Sequence, residues 1–304
     1  MALILLALLG LSAASAQLTY PPEELANVLG GKLKGNTLRF HSSLFGSAVL
    51  NLEVRGGLVT RVTYAGKPDD INAAARGIAY ASGYFDTVND LVKWMSLNRQ
   101  VLHGRGPQQV DFADDVNLTV DWGDRLRFAL EMRKYTFDDA YDRHVLGRSG
   151  PIIREFSDFE CPYCAQLYRE VMPTIKRAVQ QGQARFSYLQ VPLTRIHPQA
   201  MPLALGSECA AQQGKFYPFH DLAFETDARV APIELARRLK LDAPKFTKCL
   251  KDPAVRKRVD ADNALAERVG VRGTPTTFVG PYRVYDPHNP EAYLHLIRFI
   301  HATK

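Results

Sequence analysis

The alternation of apolar and polar residues changes character near residue 144. NLEVRGGLVTRVTY, residues 51–64, alternates with period two on both sides of Gly56-Gly57. Two glycines permit the positive φ of a tight primed turn, so the segment predicts a β-hairpin. VNLTVDWGDRLRFALEM repeats the pattern around Gly123-Asp124. A further strand is predicted over 37–42, a helix over 22–29 stopped by Gly30-Gly31, and a helical region over about 69–102. Residues 17–143 therefore read as a separate α+β domain. It contains no cysteine and no cluster of His and carboxylates at ligand spacing, and the sequence assigns it no role.

Beyond His144 the pattern becomes that of an α/β fold. HVLGRSG reads as a polar linker into an apolar strand over 151–156. A helix follows over about 162–180, with Leu167, Val171, Ile175 and Val179 on one face. ARFSYLQV, residues 184–191, predicts a second strand, and the three elements together predict a β-α-β unit with a parallel pair. Residues 198–269 are mainly helical, broken at Gly214, Pro232, Pro244 and Pro253. Strand patterns return at 276–279 and 283–285, and a last helix is predicted over about 290–302.

Length agrees with this division, since 304 residues exceed what one hydrophobic core usually holds. Charge is uneven: residues 147–304 carry 23 basic and 16 acidic side chains, net +7, against 15 and 16 over 17–146. The surplus reads as a solvated basic face, because no arginine-rich arm or basic-aromatic groove for nucleic acid accompanies it. The chain opens MALILLALLGLSAASAQ, an apolar run followed by small residues ending Ala14-Ser15-Ala16. This reads as a signal peptide over 1–16, either cleaved before Gln17 or retained as an anchor, although no Lys or Arg precedes the run. The run is too short for a membrane-spanning helix, which needs about 20 apolar residues. An exported, periplasmic or other extracytoplasmic protein is the expectation, and there an even number of cysteines favours disulfides.

Two of the four cysteines stand in FSDFECPYCAQLYREVM, at Cys161 and Cys164. Zinc would need four ligands, usually from two closely spaced pairs, and the other cysteines are 40 residues apart. No metal and no cofactor are expected. A disulfide across three residues closes too small a loop to be an effective staple. Redox work has positive support. Cys161 ends a strand-to-helix turn, and Pro162 suits the first helical position. A sulfur there faces unpaired backbone N–H groups and the positive end of the helix dipole, which favours thiolate. Cys164 lies one turn inside the helix and suits a resolving thiol.

EFSDFECPYC, SECAAQQGKFYPFHDLAFE, KFTKCLKDPAVRKRVDADNALAERVGV and GVRGTPTTFVG together resemble the DsbA-like thiol:disulfide oxidoreductases of the thioredoxin superfamily. The resemblance covers residues 144–304. It implies a thioredoxin-like fold with a helical insertion over about 195–269, and disulfide exchange with thiols of exported proteins. Cys161 would be the attacked, solvent-facing sulfur and Cys164 its buried partner. Thr274-Pro275 would be the loop whose proline is cis and packs against the active pair. Tyr163, with Pro162, would help to set the redox potential. Glu155 falls where the superfamily keeps a buried acid that moves a proton from the second cysteine; the other reading is an exposed strand-end carboxylate. For Cys209 and Cys249 the readings are a structural disulfide, favoured in an exported protein, or two buried thiols. His144, His197 and His220 are candidate proton donors, or packed or surface histidines. Glu160 and Asp158 would oppose the thiolate by like charge. The leading expectation is an oxidase reoxidised by a membrane-bound redox partner. The alternatives are an isomerase or reductase, dimerised through residues 17–143, and a binding or chaperone module with a structural disulfide.

Overall fold

The computed structural model describes residues 18–42 and 46–304; the apolar leader and its cleavage motif lie outside them. The chain divides into two compact units, one running to Lys134 and including Arg298–Lys304, the other Tyr135–Ile297.

The first unit is an α+β domain. Helix α1 (Pro22–Leu29) is followed by strands β1 (Lys32–Lys34), β2 (Thr37–Ser42), β3 (Gly46–Arg55) and β4 (Leu58–Gly66). Helices α2 (Ile71–Ser82) and α3 (Val88–Leu102) precede β5 (Gln108–Val110), β6 (Val116–Trp122) and β7 (Leu126–Met132). The strands form an antiparallel sheet in the order β1-β2-β3-β4-β7-β6-β5. Both expected hairpins form, and Gly56 and Gly57 take positive φ between β3 and β4. A side chain at Gly56 would also meet the carbonyl of Ala302, which belongs to the same unit. The sheet's alternating buried residues face α2, and Gly77 lets this helix approach Leu50 and Phe128 closely. The helical region is two helices because Gly83 ends α2 in the left-handed conformation.

The second unit is built on a sheet ordered β12-β11-β9-β10-β8. Its strands are β8 (Val145–Leu146), β9 (Ile152–Ser157), β10 (Arg185–Gln190), β11 (Thr276–Val279) and β12 (Tyr282–Arg283). The β9–β10 pair is parallel, as the β-α-β reading requires; β11 joins β9 antiparallel. Residues 145–146, read from sequence as part of a polar linker, instead pair with β10 as an edge strand. The connection from β9 is also not one helix. It divides into α4 (Pro162–Glu170) and α5 (Met172–Gln180). Pro173 lacks the N–H that would continue the ladder, and its ring crowds the preceding turn. Val171 accordingly leaves ideal helical angles, and Ala178 replaces Val179 on the buried side.

Between β10 and β11 lie α6 (Ala200–Ala211), α7 (Phe216–Glu225), α8 (Pro232–Arg238), α9 (Ala243–Leu250) and α10 (Pro253–Arg268); α11 (Pro290–Thr303) follows β12. Pro232, Pro244 and Pro253 fall in first turns, so these residues start helices where the missing N–H is harmless. Cys209 on α6 and Cys249 on α9 form a disulfide. One face of the sheet packs Phe156, Leu189 and Phe278 against Leu265 and Ala266 of α10 and Val269 just beyond its end.

The unit boundary at 134/135 lies earlier than the division at 143/144 read from sequence, because residues 135–143 are tied to this second core. The rings of Tyr135 and Phe137 meet Phe278 at 4.9 and 5.0 Å. Arg143 donates to both oxygens of Asp262 at 2.8 Å. Buried Arg154 is neutralised by Asp142 at 2.6 Å and lies over the Phe137 ring. Such a buried cation is tolerated only with its partners in place. Among the described residues no helix is long and apolar enough to cross a membrane.

The Cys209–Cys249 bridge closes a 40-residue separation. On the chain-entropy account, replacing both residues with Ala should lower the unfolding free energy by about 4 kcal/mol. Urea denaturation measures this, and an unchanged midpoint would refute it.

Candidate functional site

Strand β9 ends at Ser157, and residues 158–161 turn the chain directly into α4. Pro162 occupies the first turn of that helix and Cys161 is its N-cap residue. The Cys161 N–H donates to the Asp158 carbonyl at 3.2 Å, fixing the turn. From the far side of the sequence, Thr274 presents its carbonyl 3.4 Å from Cys161 Sγ. The Thr274–Pro275 bond is cis. The structure thus brings together Cys161, Pro162, Cys164, Thr274 and Pro275.

Cys161 and Cys164 are both free thiols with opposite tendencies. The Cys161 pKa falls from its ordinary 9.0 to about 5. The largest cause is a hydrogen bond from the Cys164 side chain; Thr274 and the backbone amides of Cys164 and Tyr163 add to it, against the opposing effect of burial. Cys164 is pushed well above its ordinary value, chiefly by burial and then by its position as donor to Cys161. Cys161 is less open than the solvent-facing sulfur expected from sequence, with only 3% of its surface exposed. The helix amides and the Thr274 loop that favour its thiolate also cover it.

Glu155 is buried, so it is not the exposed strand-end carboxylate of the alternative reading. Burial raises its pKa from 4.5 to about 7, with Ser157 opposing weakly. The parallel register sets Tyr188 opposite Glu155, and the antiparallel register sets Thr277 on its other side. The Thr277 hydroxyl lies 2.9 Å from that of Tyr293 on α11. A row of buried polar side chains therefore crosses the sheet behind Cys164.

The acids expected to oppose the thiolate are directed elsewhere. Asp158 accepts the N–H groups of Glu160 and Leu193 at 2.9 and 2.8 Å and lies 2.7 Å from His197 Nδ1. Glu160 accepts the Gln199 N–H. Both carboxylates fasten the cysteine turn to residues 193–199, and neither is among the largest causes acting on Cys161. His197 is thus a partner of Asp158, His144 pairs with Glu208 at 3.0 Å, and His220 is buried among aromatic rings with Asp221 at 2.9 Å. Sequence reading missed His288, whose Nε2 lies 3.0 Å from the Tyr163 carbonyl. The two are 125 residues apart, and no local signal joins them. Tyr163 itself is exposed at the mouth of the site.

Two titrations follow. In the reduced protein, iodoacetamide should alkylate Cys161 with a rate midpoint at pH about 5; a midpoint near that of an ordinary thiol would contradict the assignment. For Glu155, a pKa raised on folding means that the protonated side chain is favoured in the native state. Its contribution is full below 4.5 and is lost as pH rises through about 7. Glu155→Gln should therefore stabilise the reduced protein at pH 8 by about 3 kcal/mol and have little effect at pH 4. Urea midpoints at the two pH values test this, and equal effects at both would refute it.

A thioredoxin family model matches residues 143–298, just over half of the chain. Among curated relatives, the Na(+)/H(+) antiporter NhaA 3 of Salinispora tropica is 38% identical over 154 residues, covering 49% of this chain and 23% of the antiporter. NhaA of Herminiimonas arsenicoxydans is 35% identical over 150 residues, covering 47% and 23%. The chain thus spans about a quarter of the length of these relatives. Among solved structures, oxidised BdbD from Bacillus subtilis superposes with a TM-score of 0.49 at 20% identity, over 55% of this chain and 96% of that one. Oxidised DsbA of Mtb gives 0.40 at 25% identity, over 49% and 81%. With the cysteine turn, the parallel β9–β10 pair and the helical insertion in place, the family match leads to one conclusion: this chain belongs to the thioredoxin family through its C-terminal unit.

Proposed function

We propose that this protein is a thiol–disulfide oxidoreductase that exchanges disulfides with exported proteins through Cys161 and Cys164, mainly as an oxidase. The observation that carries the reading is the division of labour between the two thiols, one held as thiolate at a helix N-terminus and the other buried and protonated behind it. With the pair oxidised, a substrate thiolate attacks Cys161 Sγ. The Cys161–Cys164 bond breaks, and Cys164 leaves and takes up a proton. A second thiolate of the substrate then attacks the substrate sulfur of the mixed disulfide, forming the new disulfide and expelling Cys161. A leaving group with a low pKa speeds that last step.

The same property sets the direction. A Cys161 pKa depressed to about 5 stabilises the reduced form increasingly above that pH. At pH 7 this favours the reduced form by up to about 3 kcal/mol, or about 60 mV in a two-electron couple. Stabilising the reduced enzyme makes its disulfide a stronger oxidant. The export motif at residues 14–16 belongs to this reading, as does a membrane-bound partner that returns the pair to its oxidised state. Ion transport, named for relatives about four times as long as the shared segment, forms no part of it. The separately folded N-terminal unit favours a second reading, an isomerase dimerised through residues 17–143; light scattering distinguishes the two, because that reading requires a stable dimer.

A Cys164→Ala variant should accumulate mixed disulfides with an unfolded substrate that carries a single thiol, after Cys161 is activated by a mixed-disulfide reagent, and Cys161→Ala should accumulate none. Failure of both variants to trap substrate would leave only a binding module. Equilibration with glutathione buffers reads the potential; a value near that of thioredoxin would overturn the oxidase direction.

A further inference from the structure

Cys164 must gain or lose a proton whenever the disulfide is broken or formed, and it is completely buried. Behind it, the buried atoms Glu155 Oε2, Ser157 Oγ and Tyr188 OH close no hydrogen bond among the described residues. Buried polar atoms are paired in the great majority of cases, so three together in one site call for a reason. They share one face of the sheet: Glu155 and Ser157 stand two apart on β9, and Tyr188 stands opposite Glu155 on β10. The Ser157 hydroxyl is close enough to favour the anion of Glu155, of Cys164 and of Tyr188. A serine hydroxyl can accept one proton while donating another and remain neutral, which no group fixed as a donor or an acceptor can do.

We propose that Ser157 relays the proton between Cys164 and Glu155, an inference that rests on the thiol–disulfide reading above. When substrate thiolate attacks Cys161, the electron pair of the broken S–S bond goes to Cys164. Ser157 gives its proton to that sulfur and takes one from the protonated carboxyl of Glu155, which is left ionised. In the reverse direction the Cys164 thiol passes its proton to Ser157, whose own proton goes to the Glu155 carboxylate. The Cys164 thiolate then attacks Cys161, and the substrate sulfur departs as thiolate. Ser157 ends each step as it began. Tyr188, held protonated by burial, borders the path without carrying the proton.

The test is stopped-flow resolution of a preformed mixed disulfide on Cys161 in the full chain, comparing wild type, Ser157→Ala, Ser157→Thr, Glu155→Gln and the S157A/E155Q double variant. Loss of a positioned proton carrier should slow attack by Cys164 roughly 10²-fold in Ser157→Ala. Ser157→Thr, which keeps the hydroxyl, should recover most of the rate. The pH midpoint of Cys161 alkylation should stay where it is in wild type. The double variant should be no slower than Glu155→Gln alone, because the relay has no destination once the acid is gone. Resolution at the wild-type rate in Ser157→Ala overturns the proposal, as does slowing by the same factor with and without Glu155. If wild-type protein forms no mixed disulfide at all, the thiol–disulfide reading fails first and the relay fails with it.

Discussion

The site depends on one constraint, the hold on the Cys161 sulfur where β9 becomes α4. A sulfur at that turn meets the amides of Tyr163 and Cys164, a hydrogen bond from the second thiol, and the Thr274 loop. Each interaction is modest alone. They act together because the turn has nowhere to move: Asp158 ties its start to Leu193 and His197, Glu160 ties its middle to Gln199, and Pro162 fixes the entry into the helix. The carboxylates nearest to Cys161 in sequence therefore serve as fasteners. Their charge is already matched by hydrogen-bond donors.

Burial supplies the contrast between the two sulfurs. Desolvation penalises the charged form of both, but at Cys161 the surrounding donors outweigh it, whereas at Cys164 it is the leading effect. The same desolvation raises Glu155 into the neutral pH range, where an acid can both give and receive a proton. The sheet arranges this economically. One face of β9 carries Phe156 into the apolar core beneath α10, while the other carries Glu155 and Ser157 toward Cys164.

Much of this architecture could be read in advance. Period-two alternation fixed both hairpins of the first unit, and the order of strand, cysteine turn, helix and strand anticipated the parallel pair. Prolines and Gly214 marked where the inserted helices separate. The errors came where a local pattern is ambiguous. Residues 145–146 are too short to show periodicity, and they become a strand only because the edge of β10 is available. The periodicity of 162–180 concealed the interruption that Pro173 makes. Residues 135–143 looked like the end of one domain but follow their aromatic rings and Arg143 into the core of the other.

By itself the sequence determined which two cysteines the proposed chemistry rests on and that the first of them stands at a helix start, because both are local: residue type, spacing and a proline at the right position. Tertiary structure decided how deep each group lies and which distant groups reach it. Thr274 lies 113 residues from Cys161 and His288 lies 125 from Tyr163. Whether Glu155 is an exposed carboxylate or a buried acid depends on strands and helices packed around it. A pKa responds to the total field and solvation at an atom, and those quantities do not exist until the chain has folded.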